Sequence, residues 1–263
     1  AVNSVAGEMW RAGAMLRRRP PFQAPHHTAS PAALIGGGSG LARPGALSLA
    51  HRGVLFLDEA PEFSARTLEA LRQPLEEGVV RLRRAHDETE FPARVQLVIA
   101  ANPCPCARPA GDAECRCSPL VRRRYLGRLS GPLLDRIDMM VTLTPLSSAH
   151  LFDEHGLGEP SAVVAERVAK ARAAAAARWS AHGWRTNAEV PGPALRSRPW
   201  RLPARALAGL RAELDRGSLS ARGYDRVLRL AWTVSDLDGR ERPTAEDVYE
   251  ASHLRLSGAG GDV

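Results

Sequence analysis

The sequence predicts an α/β fold, a parallel sheet core over residues 1–147, followed by a small all-α domain. Two short apolar runs, Val54-Leu55-Phe56-Leu57 and Val95-Gln96-Leu97-Val98-Ile99-Ala100-Ala101, end in polar residues, as strands buried on both faces of a parallel sheet do. A helical pattern and a hairpin pattern lie between them, the element order of an α/β sheet. From about residue 160 onward the strand patterning gives way to Ala- and Arg-rich helical segments. At 263 residues and 44% hydrophobic content, the chain is long enough to bury both cores.

Residues 1–52 are dense in turn formers, including Pro20-Pro21, Pro25, Pro31 and Gly36-Gly37-Gly38-Ser39-Gly40, and read as loops with short helices. After the first strand, Ser64 caps a helix running to Glu77, with Leu68, Leu71 and Leu75 on one face, Pro74 as a kink and Gly78 as the stop. Residues 79–95 predict a β-hairpin with a charged tip at Asp87-Glu88-Thr89-Glu90. A cysteine loop, 104–117, and a basic helix, Leu120 to Leu129, follow the second strand. Met139 to Leu143 read as a third strand.

Beyond the sheet, residues 148–204 are expected to form a helical linker and 205–257 a helical lid. Lid helices are expected near 205–215, 219–236 and 244–255, with a disordered tail at 258–263. There is no internal repeat. No apolar run is long enough to span a membrane, and the first residues lack the order of a secretory signal, so a cytoplasmic protein without membrane partners is expected.

The net charge is +7, and Lys170 is the one lysine among 36 basic residues. A basic balance suits phosphate-bearing partners, although an Arg-rich, Lys-poor composition is also what a GC-rich genome produces. The arginines cluster at 17–19, at Arg81, Arg83 and Arg84, and at Arg122, Arg123, Arg124 and Arg128. Aromatic residues make up 5% of the chain and are scattered in sequence, so no base-stacking platform is evident and nucleic-acid contact would be to phosphate.

The first strand delivers Asp58 and Glu59 to the carboxyl edge of the sheet, where α/β proteins place ligands. Asp58 suits a Mg²⁺ shell and Glu59 a water-polarising role, since phosphoryl transfer needs charge neutralisation and an oriented nucleophile. The plainer alternative is an acidic turn after a buried strand. Asn102 ends the next strand and can position the same water, or form a simple Asn-Pro turn. Arg136 can act as a finger on nucleotide held by a neighbouring subunit, or pair with Asp135 or Asp138. Arg222, at the start of a lid helix, is a second phosphate-sensor candidate or a solvated helix-start arginine.

Cys104-Pro105-Cys106 and Cys115-Arg116-Cys117 hold all four cysteines in one local site. This spacing is compatible with a structural Zn²⁺, with free thiols or with redox chemistry. His26 and His27 read as surface or loop-packing histidines.

Five segments, Pro21 to Ser30, Gly36 to Phe63, Leu97 to Cys106, Arg123 to Val141 and Leu219 to Gly239, resemble the ComM/YifB-type magnesium-chelatase-like AAA+ ATPases and cover most of the chain. The resemblance implies ATP and Mg²⁺ as cofactors, a hexameric ring, and ATP-driven branch migration of DNA, single-stranded or branched, during natural transformation. Asp58 and Glu59 then match the Walker B acids, Asn102 sensor 1, Arg136 the arginine finger and Arg222 sensor 2. The hairpin 79–95 matches the pre-sensor-1 insertion, with Arg81, Arg83 and Arg84 as candidate contacts to DNA phosphates.

The sequence departs from the family in one respect, for it contains no Gly-x-x-x-x-Gly-Lys-Ser/Thr loop. The resemblance places that loop upstream of Ala1, so the chain by itself is expected to hydrolyse little or no ATP. Two rival functions are a chelatase-type motor that remodels a protein partner for metal insertion and a non-enzymatic nucleic-acid-binding fragment.

Overall fold

The computed structural model describes residues 19–38, 42–83, 88–107, 115–143 and 158–256. The chain divides into two compact units, 1–137 and 138–262.

The first unit is built on a parallel three-stranded sheet of order β1-β4-β7, formed by β1 (Phe22–Gln23), β4 (Val54–Leu57) and β7 (Gln96–Ile99). Val54 to Leu57 pair in register with Gln96 to Ile99, and Phe22 and Gln23 pair with Val54 and Leu55. Gly53 is required at the entry to β4, because a Cβ there would stand 1.9 Å from the Pro21 carbonyl oxygen. That closeness lets the Val54 amide donate to the same oxygen at 2.9 Å.

Between β1 and β4 lie α1 (Pro31–Ile35), a two-residue hairpin of β2 (Gly36–Gly37) and β3 (Arg43–Pro44), and α2 (Ala46–Leu49). Between β4 and β7 lie α3 (Ala65–Ala70), α4 (Arg72–Glu77) and the antiparallel hairpin of β5 (Val79–Arg83) and β6 (Glu88–Pro92). The hairpin is thus formed as expected, and its tip, with Arg84, lies outside the described residues. The single helix expected from Ser64 to Glu77 is broken at Leu71. Pro74 accounts for the break, since its ring clashes with the carbonyl four residues earlier and it offers no N–H to it. Ser64 caps α3 by accepting from the Thr67 amide at 3.1 Å, and Gly78 ends α4 in the left-handed region.

One face of the sheet is packed and the other is open, which corrects the expectation of strands buried on both faces. Leu55 and Leu57 are fully buried with Leu34, Leu47, Leu68 and Leu133. On the opposite face, Phe22 stacks on Phe56 at 6.3 Å and is 62% exposed, and Val98 beside it is 38% exposed. After β7, α5 (Pro119–Leu126) and α6 (Gly131–Leu134) complete this unit.

No strand forms at Met139–Leu143, a second correction. The Met140 amide bonds instead to the Leu254 carbonyl at 2.7 Å, and Met139, Val141 and Leu143 are exposed. An extended segment becomes a strand only where a neighbour accepts and donates along its length.

The second unit is helical: α7 (Ser161–Trp179), α8 (Gly192–Arg196), α9 (Ala208–Asp215), α10 (Ala221–Leu237) and α11 (Ala245–Leu256). Segment 148–204, expected as a linker, contributes Trp179, Val190, Leu195 and Leu202 to the core of this unit. The Ala-rich sequence of α7 hides that role, because a helix that presents small residues to a neighbour shows little apolar periodicity. Trp179, Trp184, Trp200 and Trp232, scattered in sequence, meet there with Trp179 at the centre, 4.5 to 6.0 Å from the other three rings. Trp179 and Trp232 are buried and Trp184 and Trp200 pack against them half-buried, so the aromatics serve packing. No helix among the described residues is long and apolar enough to cross a membrane.

Candidate functional site

Asp58 and Glu59 leave β4 at the carboxyl edge of the sheet, and both are exposed. The ladder continues just past them, with the Ala100 amide donating to Leu57 and the Ala60 amide to the Ala100 carbonyl, both at 2.9 Å. The two acids therefore bulge between fixed points. Glu59 takes a left-handed conformation, φ 49° and ψ 42°, which costs a non-glycine residue roughly 1 kcal/mol or more. Its amide donates to Asp58 Oδ1 at 2.9 Å, and its carbonyl accepts from Glu62 at 2.7 Å.

His27 belongs to this site, and its partner could not be identified from sequence. Its Nδ1 lies 3.2 Å from Glu59 Oε2. Beyond β1 the chain turns, with the Ala29 amide donating to His26 at 2.9 Å, and the buried Thr67 hydroxyl donates to the Ala29 carbonyl at 3.3 Å. The His26 ring packs against His27 at 4.0 Å, so the imidazole that meets Glu59 is supported from behind.

Asn102 follows β7, whose last residue Ile99 is in register with Leu57, so it leaves the sheet at the same edge as the acid pair and is half-buried there. Arg128 fixes the turn beyond Glu59, donating to the Pro61 carbonyl at 3.0 Å and to Glu62 at 3.1 Å.

Arg136 is tied within its own unit. Its Nε donates to the Arg72 carbonyl at 3.0 Å, Nη1 to the Pro132 carbonyl at 2.6 Å and Nη2 to Glu76 at 2.5 Å, and its side chain is 12% exposed. The ion-pair partner is thus Glu76 on α4, while Asp138 pairs with Arg226. Arg222 lies in the first turn of α10, exposed, two residues after the cap Ser220.

The hairpin arginines face acids. Arg81 bonds to Glu90 at 2.6 Å and pairs with Glu77, and Arg83 pairs with Glu88 at 3.0 Å across the two strands. These carboxylates cancel much of the local positive field, although Arg83 remains 79% exposed.

The four cysteines converge, with all their sulfurs within 4.8 Å of one another. Cys104 Sγ is 3.1 Å from Cys106 and 3.4 Å from Cys115, and Cys106 is 3.6 Å from Cys115. None is in a disulfide. The Cys117 amide, donating at 3.4 Å, brings the Cys115 thiol down to about 6, with Cys104, Cys106 and Arg122 adding to the effect. The hydrogen bond with Cys106, then burial, push the Cys104 thiol up.

A parallel sheet with an acid pair at its carboxyl edge, joined in sequence to a helical unit, defines a core of the AAA+ type. The family model for magnesium chelatase, subunit ChlI, matches residues 1–151, and that for the ChlI C-terminal region matches 158–255. The chain belongs to this magnesium-chelatase family of AAA+-like ATPases. It is 54% identical over 98% of its length to an uncharacterised protein of Mycobacterium tuberculosis. It is 42% identical to competence protein ComM of Haemophilus influenzae and 41% identical to the uncharacterised protein YifB of Escherichia coli, each over 90% of its length. The matched regions are 50%, 45% and 46% of those proteins, so the chain spans about half the length of the curated relatives it matches.

Proposed function

We propose that the full-length gene product is an ATP-driven motor that remodels DNA as a hexameric ring, acting on branched or single-stranded substrates. The observation that carries the ATPase part of this reading is Glu59, whose left-handed backbone is fixed by the flanking ladder bonds and whose carboxylate meets His27 beside Asp58 at the sheet edge. Strain of this kind persists where the surrounding structure enforces it, and it concentrates at sites of chemistry.

Asp58, an exposed carboxylate at that edge, is the hard oxygen ligand that Mg²⁺ takes. The metal ion, when bound, neutralises charge on the phosphates. Glu59 accepts a hydrogen bond from the attacking water and orients it toward the terminal phosphate, with His27 fixing the carboxylate. Asn102 donates to the same water or phosphate from the adjoining strand. Arg136 acts on nucleotide held by the neighbouring subunit, which requires that it exchange Glu76 for phosphate oxygens on assembly. Arg222 contributes from the helical unit. The sequence carries no Gly-x-x-x-x-Gly-Lys-Ser/Thr loop, so turnover is assigned to the full-length product and this chain by itself is expected to turn over little ATP.

A second reading, a motor that remodels a protein partner for metal insertion, draws support from the acid-paired hairpin, whose neutralised arginines suit phosphate less than an unpaired cluster would. The test is ATPase of the full-length product with branched DNA, single-stranded DNA or no DNA, repeated on Glu59→Gln, on Arg136→Ala and on their mixture. Stimulation by DNA, loss in each variant and partial recovery in the mixture are expected. An ATPase indifferent to DNA would reject the DNA reading, and no recovery in the mixture would reject action between subunits.

A further inference from the structure

We propose that Cys104, Cys106, Cys115 and Cys117 bind one Zn²⁺ as a closed tetrathiolate site whose role is to hold the carboxyl end of β7, with Asn102, against the start of α5. The metal assignment stands on geometry alone, and its link to Asn102 rests on the functional reading above.

Four sulfurs within 4.8 Å of one another match a tetrahedral shell, since Zn–S bonds of about 2.3 Å place ligand sulfurs roughly 3.8 Å apart. The closest separation, 3.1 Å, is far beyond the length of about 2.05 Å that a disulfide requires. Each Cys-x-Cys pair supplies two ligands, and the two pairs converge although eight residues separate them in sequence. The gathered set holds thiols only, the donor that selects zinc over Mg²⁺ or Ca²⁺, and four protein ligands leave no open coordination position. The site is therefore structural. Binding displaces the thiol protons to solvent and leaves four thiolates on the metal.

Cys104 stands two residues after Asn102, and Cys117 immediately precedes Ser118, whose hydroxyl caps α5 by accepting from the Val121 amide at 3.4 Å. Arg128, just past α5, reaches the Pro61 carbonyl and Glu62 in the turn that follows Glu59. One metal ion at the cysteines thus joins the Asn102 end of β7, through α5, to the turn beside the acid pair.

The first measurement is metal content of the full-length product purified without chelator, with cobalt replacement as a second probe. One zinc per chain, and the intense visible bands of tetrahedral cobalt thiolate after exchange, are expected. Cys106→Ser, which alters an exposed cysteine, is expected to lower zinc occupancy at least 10-fold, with circular dichroism reporting whether the variant stays folded. Should it unfold, titration of wild-type thiols with an organomercurial replaces it, zinc release in step with four thiols being expected. Metal-free protein from zinc-replete cells, disulfide-bonded pairs by mass, or bound iron would each overturn the site. The linkage is read separately by hydrogen exchange, which on zinc removal should accelerate at least 10-fold at the bonded amides of Ala100, at the end of β7, and Val121. Zinc bound with exchange unchanged would reject the linkage and leave the nucleotide reading standing.

Discussion

His27 Nδ1 meets Glu59 Oε2 at 3.2 Å, joining the loop after β1 to the acid that ends β4. In the full-length product, His27→Ala is expected to lower kcat for ATP about 10-fold with KM unchanged, and His27→Gln to restore part of it, because the contact orients a group without binding substrate. Glu59→Gln is expected to cost about 10²- to 10⁴-fold. Steady-state ATPase assays check both, and an unchanged kcat in His27→Ala would show the contact to be incidental.

Arg136 has a structural role whatever it does between subunits. Arg136→Ala removes three hydrogen bonds, one of them the ion pair to Glu76, and is expected to destabilise the first unit by about 2 kcal/mol. Glu76→Gln, which keeps an acceptor, is expected to cost under ~1 kcal/mol. Urea denaturation followed by circular dichroism separates the two.

The helical unit depends on a buried polar network. Arg178 forks onto Asp236, whose side chain is 1% exposed, and lies over the Trp232 ring at 4.5 Å. Asn187 donates to Asp236 at 2.9 Å and accepts from Trp179 Nε1 at 2.8 Å. Asp236→Ala strands a buried guanidinium and is expected to cost about 3–5 kcal/mol. Asn187→Ala is expected to cost about 1–3 kcal/mol. Equilibrium unfolding measures both, and a loss below ~1 kcal/mol for Asp236→Ala would contradict the network's role.

Acid should weaken the start of α11. Thr244 and Asp247 bond reciprocally, amide to side chain, at 2.7 and 3.3 Å, and Arg240 pairs with Asp247. Burial by itself would raise the Asp247 carboxyl, but the Thr244 amide, Arg240 and the Thr244 hydroxyl outweigh it and leave the group below its ordinary value. A depressed folded-state value means stabilisation fully present above the unfolded carboxylate range, about 3.9, and lost as pH falls through the folded value. The stability gap between wild type and Asp247→Asn should therefore be constant above about pH 5 and shrink below about pH 4.

If the hairpin touches DNA, Arg83→Ala should reduce the slope of log affinity against log salt by about 1 unit. Arg81→Ala should change it less, since Glu77 and Glu90 both hold Arg81. Equilibrium binding over a salt series is the check.

The position of the two longer strands was legible, because Val54 to Leu57 and Leu97 to Ile99 are short apolar runs and the first leads directly to Asp58 and Glu59, while the open face of the sheet was not. β1 was not, since two residues between prolines and histidines carry no pattern. His27 was visible as a residue but not as Glu59's partner, because a pairing between distant loops leaves no local signal. For Arg136 the sequence offered neighbouring acids, while the fold turned the guanidinium back onto α4. The cysteine spacing announced one local cluster, and its convergence is what tertiary structure adds. The Met139–Leu143 segment has strand-like residues without a ladder partner among the described residues.

The gathering of Trp179, Trp184, Trp200 and Trp232 in one core makes the helical unit optically distinct. The fifth indole, Trp10, lies outside the described residues. Once Trp10 is replaced by Phe, emission excited at the indole band reports this unit alone. Its melting can then be followed in the intact chain while the sheet unit, dark at that wavelength, is tracked by other means.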